Sequence, residues 1–425
     1  MKNTLNFVMA GHVDHGKSTL IGRLLYDTGS LPPDKIEELK KASRDTDRTE
    51  FAYVLDHLEE ERRQGITIDT TQVFFGTDER DYVIIDAPGH VEFLKNMITG
   101  ASQAEAAVLI VDAEEGVKEQ TRRHACMLSL LGIDQVIVVL NKMDLVGFKR
   151  EKYDSVKDEL EKALRPFRIA PRFYVPACAI DGDNVAGPSD RMPWYEGPFL
   201  LKALDLLENA KISGNDMLIM PVQDVYKHGD VRRIAGRVES GTIRQGDAIK
   251  ILPGGTTSSV SFVERYPEKV NAAMVGQNVG IGISDPLFAE RGDVICLPGK
   301  EPALTDMFTA TVFWISKAPF SIRDRITIRC ATQETTCSVV TVKRKINSSD
   351  LGEIKTGLET LNNLEVAEVV MRVKRPLVVQ DFSSVRELGR FVLARGEDIC
   401  AGGIVTGTSV PAARDEICEK ENALS

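Results

Sequence analysis

The chain has 425 residues, 43% of them hydrophobic and 27% charged, with a net charge of −10. That is room for about two to four domains whose cores need neither disulfide nor metal staples. No apolar run reaches the roughly 18 residues of a membrane span, and an acidic chain with 6% aromatic residues does not fit a general nucleic-acid coat or a stacking single-strand binder. Cys126, Cys178, Cys296, Cys330, Cys337, Cys400 and Cys418 form no CxxC pair. They read as reduced thiols of a cytoplasmic protein, not as a zinc site. The apolar stretch Leu5–Ala10 runs straight into a glycine loop, unlike a signal peptide.

Residues 1–210 alternate two textures. Leu5–Ala10, Thr70–Phe75, Tyr82–Asp86, Ala106–Asp112, Gln135–Asn141 and Arg172–Val175 read as short apolar strands. Ser18–Tyr26, Val91–Thr99, Glu119–Leu131 and Glu151–Leu164 have helical spacing. Alternation of this kind predicts an α/β domain, a mostly parallel sheet flanked by helices. The charged segment Asp27–Gly65 lacks a strand pattern, and an excursion of that length is more often functional than incidental. A polar linker follows Leu207. Residues 217–300 and 303–406 then show short β-branched runs broken by turns such as Gln245-Gly246-Asp247 and Pro253-Gly254-Gly255, the texture of two small antiparallel β-barrels. In the second, strands are expected at Thr311–Ile315, Ile326–Cys330, Val339–Lys343, Glu365–Val373 and Gly389–Leu393. Residues 407–425 read as a flexible tail.

Gly11-His12-Val13-Asp14-His15-Gly16-Lys17-Ser18 fits GxxxxGK(S/T) between a predicted strand and a predicted helix that continues with Thr19. Backbone N–H groups of such a loop converge on phosphate oxygens at a helix N-terminus. Lys17 is expected on the β- and γ-phosphates, and the Ser18 hydroxyl on Mg²⁺, a cation that prefers oxygen. His12 and His15 read as solvent-facing or loop-shaping residues, not metal ligands.

Asp86-Ala87-Pro88-Gly89-His90 places a carboxylate at a strand end near the Mg²⁺ shell. It also leaves the Gly89 N–H for the γ-phosphate. Thr67 is the expected third metal ligand, in place only while a γ-phosphate is present, which gives an order–disorder switch its trigger. His90 is expected to orient the attacking water, behind an apolar gate of Val13 and Ile66. In Asn141-Lys142-Met143-Asp144 the Asp144 carboxylate suits guanine N1–H and the exocyclic amine, which adenine does not offer. GTP is therefore expected over ATP. Asn141 would brace the loop and the Lys142 stem would lie along the base. Cys178, Ala179 and Ile180 form the expected fourth element, with the Ala179 N–H on guanine O6. Cys178 stands where serine is usual.

From Asn6 to about Val405 the chain resembles the translational GTPase superfamily of elongation factors Tu and 1-alpha. The resemblance implies a GTPase domain and two β-barrels. Within it, Gln120-Thr121-Arg122-Arg123-His124, Leu128–Ile133, the compact run from Asp181 through Met192-Pro193-Trp194, Ala310–Ile315 and Ile346–Leu351 are most similar to the large subunit of sulfate adenylyltransferase. The His-Val-Asp-His form of the phosphate loop instead looks like an elongation factor. Trp194 and Trp314 serve either core packing or a partner contact.

Two readings follow from the resemblance. In the first, the chain is the GTPase subunit of a sulfate adenylyltransferase, a nucleotidyltransferase. GTP hydrolysis would drive adenylyl sulfate formation in a smaller catalytic partner subunit that binds ATP and sulfate, with nucleic acid unneeded and no membrane involved. In the second, the chain is an elongation-factor-like GTPase that delivers aminoacyl-tRNA. A third, plainer reading is a GTPase switch with another protein partner.

Overall fold

The computed structural model describes residues 4–33, 35–37, 51, 71–86, 104–208, 217–228, 231–266, 268–285, 288–322, 324–348 and 352–409. Two compact units make up the chain: Met1–Asn209 with Ser348–Leu351, and Ala210–Asn347 with Gly352–Ser425.

The first unit is built on a six-stranded sheet. Its strands are β1 (Thr4–Gly11), β2 (Thr71–Gly76), β3 (Asp81–Asp86), β4 (Ala106–Asp112), β5 (Gln135–Asn141) and β6 (Phe173–Pro176), in the order β2-β3-β1-β4-β5-β6. β1 pairs in parallel with both β3 and β4, and β4 with β5, and β5 with β6. β2 alone runs antiparallel, against β3. Only residues 77–80 join them, which is enough for a hairpin and far too short for a parallel crossover. The central strands are buried on both faces, so they read in the sequence as continuous apolar runs rather than alternating ones. Helices Lys17–Asp27, Glu119–Leu130, Arg150–Leu164 and Leu200–Asp205 belong to the same unit. Leu20 and Leu24 of the first and Leu204 of the last meet Phe7, Met9, Val108 and Val139 in one apolar core. The helix expected over Val91–Thr99 and most of the Asp27–Gly65 excursion lie outside the described residues.

The second unit holds two barrels. In the first, strands Ala248–Leu252, Val294–Cys296, Ile219–His228, Val231–Arg237, Asn278–Ile283 and Thr256–Arg265 follow one another, and the last pairs back to the first to close the ring. In the second, Ala303–Trp314, Glu365–Val379, Gln333–Asn347, Ile326–Cys330, Arg390–Arg395 and Asp398–Gly407 form a closed barrel. Closure removes the free edges a small sheet would otherwise expose. Ile326, Ile328 and Cys330 point inward while Thr327 and Arg329 do not, the period of two that a barrel wall demands. Trp314 is fully buried and its Nε1 donates to the Ala318 carbonyl (2.9 Å), so it packs the core. In the first unit, Trp194 donates to the Phe148 carbonyl (2.9 Å) beside the Tyr153 ring, an internal contact as well.

The two barrels form one unit because an apolar cluster spans them: Ile219, Leu252, Val294 and Cys296 from one, Val378, Val385 and Leu388 from the other. Beyond residue 409, the expected tail lies outside the described residues. Among the described residues no helix is long and apolar enough to cross a membrane.

Candidate functional site

The C-terminal ends of β1, β3, β4, β5 and β6 bring the sequence motifs to one edge of the sheet, where open α/β sheets place their ligands. Between β1 and the helix Lys17–Asp27 lies the glycine loop. A Cβ on Gly11 would stand 2.6 Å from the Ile110 carbonyl oxygen, and one on Gly16 2.4 Å from Asn141 Nδ2. Gly16 also holds a φ of 89° as the helix N-cap. Both positions therefore need glycine, and the helix N-terminus is left aimed into the loop. Asp14 takes a φ of 66°. Val13, Ser18 and Thr19 are half-buried.

Lys17 is 7% exposed and donates to the carbonyls of Gly11 (2.9 Å) and His12 (3.0 Å). Burial pushes its ammonium down to about 8, against the pull of Asp86 and Asp14. Asp86 ends β3, 2% exposed, level with Met9 on β1. His15 is 1% exposed, so it is a loop-shaping residue and not a solvent-facing one. Its Nδ1 meets the Ile110 carbonyl at 3.3 Å and its Nε2 faces Glu115 at 3.5 Å. The His12 ring stands edge-on to it, 5.2 Å between centroids. Burial lowers the pKa of both histidines.

Asn141 ties the phosphate loop to the base loop. Its Nδ2 donates to the His15 carbonyl (2.9 Å), and its Oδ1 accepts the Ala179 N–H (3.0 Å). The Ala179 N–H, expected on guanine O6, is thus engaged by Asn141. Lys142, at a φ of 61°, reaches Asp112 at 2.8 Å. Burial opposes ionisation of Asp112, but Lys142 and the Glu114 N–H outweigh it and hold this carboxyl below its ordinary range. The Cys178 thiol donates to Asp144 Oδ1 at 3.4 Å. Sulfur thus contacts the carboxylate from the position where serine is usual. Cys178, Asp181 and Asp183 lie close together, but Arg191 bridges the two acids, which makes the group an ion-pair network.

Two braces escaped the sequence reading. Arg23 Nη1 donates to the Ile180 carbonyl (3.1 Å), joining the phosphate helix to the base loop. Asn184, at a φ of 54°, donates from Nδ2 to the Pro176 carbonyl (2.9 Å). The one signal for Arg23 is Gly182, where a Cβ would stand 2.3 Å from the guanidinium. Thr67, Gly89 and His90, with Ile66 of the expected gate, lie outside the described residues.

A profile of the elongation factor Tu GTP binding domain matches residues 2–272, and one of GTP-eEF1A C-terminal domain-like proteins matches residues 307–406. Elongation factor 1-alpha of Archaeoglobus fulgidus is 38% identical over 415 residues, covering 95% of this chain and 98% of that protein. The chain belongs to the elongation factor Tu and 1-alpha family of GTPases. Elongation factor 1-alpha of Methanopyrus kandleri is 38% identical over 423 residues, 94% of this chain and 97% of that one. Its counterpart in Thermoplasma acidophilum is 38% identical over 413 residues, with the same coverage.

These relatives overturn the sulfate adenylyltransferase reading, its nucleotidyltransferase activity and its smaller catalytic partner with ATP and sulfate. Many residues of the stretches that suggested it are core positions: Thr121, His124, Leu128, Ile133, Val312, Phe313 and Trp314 are all at most 2% exposed. Packing residues of this kind report a shared fold and say little about a partner. GTP with Mg²⁺ is the ligand pair of this family. The residues fit it: Gly16 leaves a cradle that a Cβ would fill, Lys17 supplies a cation at the loop, and Ser18 and Asp86 are oxygen donors suited to a hard metal.

Proposed function

We propose that this chain is a translation elongation GTPase that delivers aminoacyl-tRNA in a GTP-dependent way, acting in the cytoplasm. The observation that carries the reading is similarity over nearly the whole chain to proteins named elongation factor 1-alpha. Residues 1–210 would form the GTP-binding domain, with barrel domains at 217–300 and 303–406.

The roles of the site residues follow from their chemistry. The phosphate-loop amides and Lys17 bind the β- and γ-phosphates. Ser18, Asp86 and Thr67 hold Mg²⁺, which when bound supplies charge stabilisation at the phosphates. Asp144 accepts from guanine N1–H and the exocyclic amine. Asn141, through His15 and Ala179, keeps the two loops in register. Lys142, clasped by Asp112, lies along the base. Gly89 offers an N–H to the γ-phosphate, and His90 orients water behind Val13.

The test is protection of the aminoacyl ester. Purified chain should slow deacylation of aminoacyl-tRNA when loaded with GTP and Mg²⁺, and should do so much less when loaded with GDP. Equal deacylation in both states, with GTP demonstrably bound, would sink the delivery reading.

A further inference from the structure

His15 is a buried side chain of the phosphate loop, 1% exposed. Its backbone carbonyl accepts from Asn141, so the ring's position is passed on to the base loop. Both ring nitrogens face oxygen atoms that only accept. Nδ1 lies 3.3 Å from the Ile110 carbonyl, and Nε2 lies 3.5 Å from Glu115 Oε2. A neutral imidazole has one N–H and can satisfy only one of them. The imidazolium has two N–H groups, and its charge pairs with Glu115 at ion-pair distance, where Nε2 otherwise has no hydrogen-bond partner. Glu115 sits in the loop that follows β4, and its side chain is 44% exposed.

We propose that Glu115 is a positioning residue for the phosphate loop: it holds the loop through the His15 ring, most firmly when both ring nitrogens carry protons. The inference rests on the guanine-nucleotide reading given above. It assigns a role to a residue outside the phosphate and base motifs, in a loop that touches both. Asp112, which ends β4 just before that loop, is clasped by Lys142, while Glu115 reaches the phosphate side.

The charged groups around the pair are few. On the phosphate loop, His12, Asp14 and Lys17 lie near, and from the end of β4 and the loop after it come Asp112, Glu115 and Lys118. Lys118 Nζ stands 3.7 Å from Glu115 Oε2 and competes for it. Burial and the neighbouring His12 disfavour the charged ring, whereas the Ile110 carbonyl, Asp112 and Glu115 favour it; burial prevails, and His15 takes its second proton below the ordinary imidazole range.

The experiment is release of a fluorescent GDP from the full chain into excess GDP, between pH 5.5 and pH 8. Wild type should release several-fold more slowly at pH 6 than at pH 8. Glu115→Ala should release faster than wild type at pH 6, with a flatter profile. Glu115→Gln should be slow and nearly pH-independent, because its amide N–H can donate to an unprotonated Nε2. Glu115 also favours the charged form of the His12 ring, so the three forms are compared again in a His12→Asn background, where the same order of rates should hold. The Glu115 side chain is exposed, and thermal unfolding of each variant will confirm an intact fold. A Glu115→Ala chain that keeps the wild-type rate and pH profile would overturn the proposal. Failure of the wild-type chain to bind GDP at all would overturn the nucleotide reading, and this inference with it.

Discussion

Cys178 shows how a single atom can alter a recognition site without changing its geometry. Its thiol points at Asp144, but S–H is a weak donor where a hydroxyl is a strong one. Replacing it with serine should tighten GDP relative to IDP, and replacing it with alanine should loosen that discrimination, each by roughly tenfold or less. Competitive binding of GDP and IDP measures the ratio, and no change in either variant would show that Asp144 needs no second support. Burial also pushes the thiol up to about 12, so iodoacetamide at pH 7.5 should spare Cys178 until the protein unfolds. Asp144→Asn should move preference from guanine toward xanthine nucleotides. Unchanged guanine preference would remove Asp144 from the base pocket. At this scale the sequence is most readable where a motif demands a residue type: Gly16, Lys17 and Asp144 follow from chemistry alone. It is least readable for Arg23 and Glu115, whose partners stand far along the chain, and for Asn184, whose bond to the Pro176 carbonyl follows no motif.

The phosphate loop and the base loop belong to different βα connections, and Asn141 is the side chain that spans them. Asn141→Ala leaves the His15 carbonyl and the Ala179 N–H buried without this partner, at about 1–3 kcal/mol each. GDP affinity should fall by roughly 10- to 100-fold, and titration calorimetry will read it; an unchanged affinity would mean the loops hold their register unaided. In the second barrel Lys345 has the matching task. Only 2% exposed, it donates to the carbonyls of Gly357 (3.0 Å) and Thr360 (3.1 Å) and pairs with Glu365 (3.1 Å). Lys345→Ala takes the cation from Glu365, which keeps Asn362 as a donor, and leaves the Gly357 and Thr360 carbonyls without this partner; it should cost about 1–3 kcal/mol, read as a lower urea midpoint. The elements themselves were legible, because apolar runs and helical spacing are local. The expected Ile326–Cys330 matches the strand found. The expected Val339–Lys343 is the middle of a strand from Gln333 to Asn347. Alternation breaks where the ladder shifts register, between Val339 and Thr341 and between Val342 and Arg344, which leaves Lys343 and Arg344 both exposed.

Across the whole molecule, the division into an α/β part and barrels was legible, while the biological partner was not. Many residues in the stretches used to choose between sulfate activation and translation, Leu128, Val312 and Trp314 among them, face the interior, where packing selects residues. The His12-to-His15 form of the loop pointed the right way. Also beyond the reach of sequence was the joint between the barrels, where Glu239 is half-buried near Glu387, Arg237 and Arg390. Burial, then the Glu387 carboxylate, pushes Glu239 up to about 7 against the two arginines. The folded protein thus keeps a proton there that the unfolded chain sheds near pH 4.5. Stability falls as pH rises through that interval, by about 1–2 kcal/mol after allowing for solvent. Glu239→Gln should gain on wild type in melting temperature between pH 5 and pH 8. An offset that does not vary with pH would remove Glu239 from that role.

The ring order of the second barrel has a consequence for synthesis. Its first strand, Ala303–Trp314, lies between Glu365–Val379 and its last, Asp398–Gly407. A ribosome that has translated only as far as Arg395 holds a nascent chain with two open strand edges, which are templates for pairing with other chains. That vulnerability ends only when the final strand has left the exit tunnel and closed the ring, so a chain that has emerged only as far as Arg395 is open at both edges.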